Sequence, residues 1–345
     1  MYKEVLSKVT TLQEMTGDEI SSLIAGIREG EVSDVQIAGF QVALLMKGAT
    51  RDELTHFAKA MRDNCVPIRP QVAGDLMDTC GTGGGLSTFN ISTATAIVAA
   101  AAGIPVAKHG SRSLVSLSGS ADVLEALGVN IMLTPGQAER MLEEIGIAFL
   151  YAPLFHPVMC KVLPAEGDLG IKTIFYTIIG PLINPAFAPR HLLGVYKPEL
   201  LDTVTYVAME LGYTNAMFVH GLDGLDEISL LGRTRVNYLR GGEVRTFEIQ
   251  PEDFGLPRCR LQDIKSSTPE DNAAVIGGVF GGEINNSNKD AILLNAAGAL
   301  FIGGKADDFK QGVELARSII DSGSAKKKLD ELREMSNGFK DHHRL

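Results

Sequence analysis

Residues 78–93 read DTCGTGGGLSTFNIST, with four glycines in five positions (Gly81, Gly83, Gly84 and Gly85) just ahead of Ser87, Thr88, Asn90, Ser92 and Thr93. Glycine lets a ligand approach the backbone closely. With a strand ending at Asp78 to Cys80 and a helix opening near Ser92, free N–H groups converge on one spot, an arrangement suited to phosphate. The hydroxyls add donors for phosphate oxygens or ligands for magnesium. A tight strand-to-helix turn is the plainer reading of the glycines alone, and the hydroxyl run argues against it. No Gly-Lys-Ser/Thr closes the run as in a Walker loop, and the third glycine of a dinucleotide fingerprint is misplaced.

A second segment, AKHGSRSLVSLSGSADVLEALG, puts Lys108, His109 and Arg112 in a loop of five serines and two glycines, before a helix carrying Asp122 and Glu125. Cations among small residues suit an anion, although a solvated serine-rich loop would read the same in isolation. Two such β-α turns of one parallel sheet lie at the same carboxyl edge, so together they point to a ligand with two phosphate-bearing ends. A third segment, VHGLDGLDEIS, gathers Asp223, Asp226 and Glu227. Adjacent carboxylates need solvent or a cation between them, and beside phosphate that cation is magnesium. An exposed acidic turn is the alternative for this segment alone, and the other two motifs decide for metal.

The elements that must position these loops fall into two parts. Residues 1–65 carry three S/T-x-x-E/Q boxes, Thr16 to Glu19, Ser33 to Gln36 and Thr50 to Glu53, each opening an apolar-periodic stretch, which predicts three or four short helices. QIAGFQVALLM is apolar enough to pack on another helix or another subunit. CVPIRPQVAG breaks the pattern with two prolines and marks a hinge. From residue 75, short apolar runs alternate with helical patterns: DLMDTC, IPVAKHG, AFLYAP, HLLGVY and NAMFVHG against TATAIVAAAAG, SADVLEALG and ELLDTVTYVAMELG. Such alternation predicts an α/β domain with a mostly parallel central sheet. TRVNYLRGGEVRTFEIQ predicts a β-hairpin around Gly241 and Gly242, and the C-terminal stretches DAILLNAAGALFIGG and FKQGVELARSIIDSGSAKKKLDELREM predict helices. The expected division is a small helical domain over 1–66, joined by part of 152–185, and a large α/β domain over 74–345.

At 345 residues, 45% hydrophobic, the chain can bury a large core. A formal charge of −10 with scattered basic residues argues against nucleic acid. Cys65, Cys80, Cys160 and Cys259 lie far apart with no zinc or disulfide spacing, which fits reduced thiols in the cytoplasm. The N-terminal MYKEVLSKVT has no signal-peptide core, and the longest apolar run, AIVAAAAGIPVA, is too short to span a bilayer.

GTGG…STFNIST, KHGSRS…SGSADVLEALG, APLFHP, KTIFYTIIGPLINPA and GLDEIS follow one another here in an order and spacing that resembles the anthranilate phosphoribosyltransferases, over nearly the whole chain. Pyrimidine nucleoside phosphorylases share that fold but usually carry KHS where this chain has KHG. The resemblance implies a helical and an α/β domain of the nucleoside phosphorylase/phosphoribosyltransferase type, a homodimer formed through the helical part, and a site at the hinge. It implies that an aromatic amine displaces diphosphate from C1 of 5-phosphoribosyl 1-diphosphate, with Mg2+ on the diphosphate. Metal and amide donors then stabilise the charge that builds on the leaving group, and no covalent nucleophile is needed. Carried over, the donor is held by Gly81, Thr82, Gly83, Gly84, Asn90, Ser92, Thr93, Lys108 and Ser120. The metal is held by Ser92, Asp226 and Glu227, and the acceptor by His109, Gly110, Ser111, His156, Lys172, Tyr176, Gly180 and Pro181.

The chain departs from the family pattern on both sides of that site. Ser111 and Tyr176 stand at asparagine positions, Lys172 at an arginine expected to pair with the acceptor carboxylate, and Glu166 at a basic position. Gly85 replaces an acid and Leu117 a base near the diphosphate. A transferase for another aromatic or heterocyclic acceptor, or a non-catalytic ligand-binding relative, is the alternative these departures leave open.

Overall fold

The computed structural model describes residues 2–83, 85–113 and 118–339. Helices α1 (Tyr2–Thr10), α2 (Gly17–Glu29), α3 (Asp34–Lys47) and α4 (Arg51–Asp63) open the chain. All three expected capping boxes form: Thr16 with Glu19, Ser33 with Gln36 and Thr50 with Glu53 exchange side-chain and backbone bonds, each contributing on the order of 1 kcal/mol. Their inward faces build one hydrophobic cluster around Ile24, Phe40 and Phe57. Met159, Val162, Phe175 and Ile178 belong to the same cluster, so the proline-punctuated stretch after residue 152 packs back against the helices. Glu53 sits within it, buried and paired with Lys47 Nζ at 2.6 Å.

The second cluster packs against a seven-stranded sheet of order β3-β2-β1-β4-β5-β6-β7, which also gives Leu193, Phe218 and Leu239 to the first cluster. The strands are β1 (Met77–Asp78), β2 (Val106–Gly110), β3 (Ile147–Tyr151), β4 (Arg190–Gly194), β5 (Asn215–Gly221), β6 (Thr234–Arg240) and β7 (Glu243–Ile249). β1 to β5 pair in parallel, and β6 and β7 are antiparallel. The hairpin turns at Gly241 and Gly242, both with positive φ (58° and 86°), as a two-residue type I′ turn requires. Strand order reverses at β1, which lies between β2 and β4. In open α/β sheets ligands bind outside the carboxyl ends of the strands at such a switch point, and the glycine loop leaves β1 there. No helix among the described residues is long and apolar enough to cross a membrane.

Arg62, at the end of α4, joins the two parts. Its guanidinium donates to the carbonyls of Leu182 (3.1 Å) and Leu211 (2.9 Å) and stacks over Phe187 and Tyr213. Phe187 holds a left-handed φ of 53°, a costly conformation for a bulky residue, with the Arg69 guanidinium over its ring, 4.1 Å from the centroid. Arg62→Met keeps the stem but takes the guanidinium donor from the Leu211 carbonyl and leaves the Leu182 carbonyl with the Tyr213 hydroxyl alone, so it should destabilise the protein by roughly 1–3 kcal/mol, read from urea unfolding. A loss below about 0.5 kcal/mol, typical of uninvolved surface positions, would remove Arg62 from this role.

Candidate functional site

Where the two clusters meet, a cavity of about 430 Å³ opens at the carboxyl ends of β1 and β2. One wall is the glycine loop, the β2 loop and the Asp226–Glu227 turn. The other is Met159, Leu163, Lys172, Tyr176 and Pro181. The loop geometry follows from close backbone contacts. Gly81 bridges to Gly194, and Thr82 N–H donates to the Gly194 carbonyl at 2.9 Å. A Cβ on Gly194 would fall 1.6 Å from the Asp226 carbonyl oxygen, so only glycine lets the Asp226 turn lie against the end of β4. Gly83 has φ +59°, and the Tyr176 hydroxyl lies 3.5 Å from where its Cβ would be.

Within the described residues every donor, acceptor and metal candidate lines this cavity except Thr93. Gly84 and Leu117 lie outside the described residues. Thr93, expected in the donor set, has its side chain turned away from the cavity. It follows Ser92 by one helical position, about 100° round the helix, and is fully buried on the side facing Ala96 and Phe149. Glu166 does not line the cavity either. It is buried, accepting from the Thr173 hydroxyl and from Gln41 Nε2, and its desolvation raises its pKa. Asp223 instead anchors its own turn, accepting from Ser229 Oγ at 2.6 Å. Arg112 borders the cavity but pairs with Asp122 and Glu125.

The two phosphate-suited loops are tied together. Ser118 Oγ donates to Asn90 Oδ1 at 3.0 Å, and Asn90 N–H donates to Asn272 Oδ1 at 2.8 Å. Lys108, buried on β2, donates to the Thr79 carbonyl at 2.5 Å and to Ser92 Oγ at 3.4 Å. Burial lowers its pKa, against the pull of Asp78 and other nearby groups. Burial raises the carboxyls of Asp226 and Glu227, Glu227 to about 8 with Asp226 adding to the effect. A divalent cation between them would reverse both shifts, and Ser92, whose backbone favours ionised Glu227, stands beside them. The donor set therefore fits magnesium: hard oxygens on adjacent residues, facing a cavity. At Gly85 a Cβ would meet Asp226 Oδ1 at 2.5 Å, so the Asp226 carboxylate fills the space an acid there would need.

On the acceptor side, the His109 and His156 rings meet edge to face with centroids 4.9 Å apart. Both are neutral near pH 7, because burial lowers His109 to about 4 and His156 well below its usual value. Among the described residues, His109 Nε2 and both nitrogens of His156 are buried with no hydrogen-bond partner. These orphaned groups can receive a polar aromatic ligand. Lys172 Nζ stands over the Tyr176 ring, 5.4 Å from its centroid, and Tyr176 projects from a π-helical turn, Phe175–Ile179, a distortion frequent at functional sites.

Sequence reasoning missed what holds these walls. Asp78, fully buried, accepts from the N–H of Thr79 (2.7 Å) and of His109 (3.1 Å) and from Asn184 Nδ2 (2.7 Å). Cys80 and His191 lie next to it. The DTC spacing puts residues 78 and 80 on one strand face, but nothing local brings Asn184 or His191 there.

Residues 3–65 match the helical bundle domain of a glycosyl transferase family, and residues 73–326 match the α/β domain of that family. The chain is 45% identical over 338 residues to an anthranilate phosphoribosyltransferase of Petrotoga mobilis, covering 98% of this chain and 97% of that protein. It is also 45% identical to one of Acetivibrio thermocellus, covering 98% of each. The crystal structure of the Thermus thermophilus anthranilate phosphoribosyltransferase superposes with a TM-score of 0.89 at 37% identity, covering 96% of this chain and 99% of that one. The Saccharomyces cerevisiae anthranilate phosphoribosyltransferase in complex with PRPP and Mg gives 0.88 at 27%, covering 97% and 98%.

The raised Glu227 carboxyl makes stability depend on pH. Its folded value of about 8 lies above its ordinary 4.5, so its contribution is complete below pH 4.5 and is lost as pH rises through about 8. Urea unfolding of ligand-free protein across that window should show the decline, and Glu227→Gln should flatten it. Equal slopes in the two proteins would mean that another group titrates.

Proposed function

The chain belongs to the anthranilate phosphoribosyltransferases of the glycosyl transferase family, and on that premise we infer that it moves the 5-phosphoribosyl group of 5-phosphoribosyl 1-diphosphate to the amine of anthranilate. Diphosphate is released, and the step serves tryptophan biosynthesis. The observation that carries this reading is the cavity at the strand-order switch, which unites a glycine loop, a buried lysine and an acidic pair on one side with two neutral histidines on the other.

In this reading the glycine-loop backbone at Gly81 and Gly83, with Asn90, Lys108 and Ser120, holds the phosphoribosyl diphosphate, and Thr82 ties that loop to Gly194. Asp226, Glu227 and Ser92 hold Mg2+, which when bound offsets the negative charge that develops on the departing diphosphate. Lys108 adds a fixed cation in a low-dielectric site, where it acts without reorganising. His109 and His156 orient the acceptor by hydrogen bonds and carry no charge that would repel an incoming amine. Lys172 pairs with the acceptor carboxylate, while Tyr176, Gly180 and Pro181 wall the ring and keep water from the C1 centre.

The same protein pairs with a second copy through α3. Val35, Val42, Leu45 and Met46 are exposed there, Val35 and Met46 by 83% and 80%, and positions 35, 42 and 46 share one helical face. Four free cysteines suit the reducing cytoplasm.

Loss of anthranilate fluorescence with 5-phosphoribosyl diphosphate and Mg2+ measures turnover directly. Absence of turnover alongside intact donor binding in calorimetry would overturn anthranilate as acceptor. Asp226→Asn should lower kcat by roughly 10²-fold, the scale of losing one fixed electrostatic stabiliser, and unchanged kinetics would exclude the acidic pair. Lys172→Arg should lower the KM for anthranilate, because a guanidinium can bind a carboxylate through two parallel bonds, and a raised or unchanged KM would exclude that pairing. Val42→Glu should convert a dimer to monomer in light scattering, whereas an unchanged mass would place the contact elsewhere.

A further inference from the structure

A second cluster of ligating groups lies behind the glycine loop, apart from the magnesium carboxylates. Asp78 and Cys80 project from the same face at the end of β1, and His191 is the direct parallel partner of Asp78 on β4. Cys80 Sγ stands 3.3 Å from His191 Nε2 and 3.7 Å from Asp78 Oδ2, and one ligating atom from each residue lies within 4.8 Å of the others. Bonds of about 2.0–2.3 Å to a tetrahedral zinc-class ion would set such atoms about 3.3–3.8 Å apart.

The surroundings are organised as they would be around an ion. Asp78 is fully buried, and a buried carboxylate ordinarily pairs with a cation or binds a metal. The nearby lysine, Lys108, spends its bonds on the Thr79 carbonyl and Ser92 instead. Oδ1 of Asp78 is committed to the Thr79 and His109 amides, which turns Oδ2 toward the thiol, and Asn184 Nδ2 steadies Oδ2 at 2.7 Å as an outer-shell partner. The Cys80 N–H donates to His191 Nε2 over a long 3.4 Å, an arrangement that puts the lone pair on Nε2, where an ion would displace that weak bond, and the ring proton on Nδ1, which is buried with no partner among the described residues. That is the tautomer a metal-binding imidazole needs. Cys80 also lines the cavity, 3.6 Å from the Pro181 carbonyl, which leaves a fourth position reachable from solvent.

We propose that Asp78, Cys80 and His191 form a binding site for a borderline-soft divalent cation of the zinc class, open to the cavity floor between the glycine loop and Pro181. Binding breaks the Cys80 S–H bond, forms a metal–thiolate bond and releases the proton to solvent. Sulfur and imidazole ligands exclude magnesium from this position.

Cobalt(II), added to the ligand-free full chain in excess Mg2+, tests the site. A thiolate-to-cobalt charge-transfer band and tetrahedral d–d bands should saturate at one equivalent. Cys80→Ser and Cys80→Ala should each abolish the charge-transfer band, and His191→Gln should weaken binding by at least about tenfold, the low end of the loss from removing even an outer-shell partner. Asp226→Asn and Cys160→Ser, at the magnesium pair and at the exposed cysteine, should leave the band intact. No band at saturating cobalt, a band that survives loss of Cys80, or one that disappears in Cys160→Ser or Asp226→Asn would overturn the proposal. None of these readouts requires turnover, so the result stands apart from the acceptor assignment.

Discussion

Three donors converge on the buried carboxylate of Asp78, and the geometry of the cavity depends on that meeting. Two are backbone amides, one from the end of β1 and one from His109 on β2, and the third is Asn184, which follows the acceptor wall. Asn184 also donates to the Ala107 carbonyl at 2.7 Å. One fully desolvated acid thus fixes the root of the glycine loop, the orientation of the strand bearing Lys108 and His109, and the chain leaving Pro181. Removing it would leave several buried donors unpaired at once, each a cost of about 1–3 kcal/mol.

What was legible in the chain was local. A capping box spans four residues and a two-residue turn is marked by its two glycines, so Thr16, Ser33, Thr50 and Gly241 could be read directly, and the glycine run announced the close backbone approach that Gly81 makes to Gly194. What was illegible required distant partners. His191 reaches Asp78 only because β4 returns beside β1, and Arg62 meets Leu211 across the interface of the two parts. Thr93 illustrates a finer limit. Ser92 and Thr93 offer the same chemistry, and only the phase of the helix decides which hydroxyl faces the cavity. Glu166 shows the same for burial, since its partners Gln41 and Thr173 come from α3 and from beyond its own helix.

Burial gives the cavity its electrostatic character. Desolvation leads the shifts of Lys108, His109, His156, Asp226 and Glu227, in every case toward the neutral form. A divalent cation at the two carboxylates, or an anion at Lys108, would draw these groups back toward their charged forms. At Gly85 the Asp226 carboxylate occupies the volume that a side chain there would take.

The hairpin that closes the sheet has a consequence beyond its own stability. An open sheet invites edge-to-edge growth, since its last strand carries unpaired amides and carbonyls. Here that strand, β7, is almost wholly exposed and is studded with Glu243, Arg245 and Glu248, with Glu248 beside Arg233 at 3.5 Å. Docking another strand against it would strip water from these alternating charges. The charges on β7 thus guard that edge of the sheet against strand-to-strand growth.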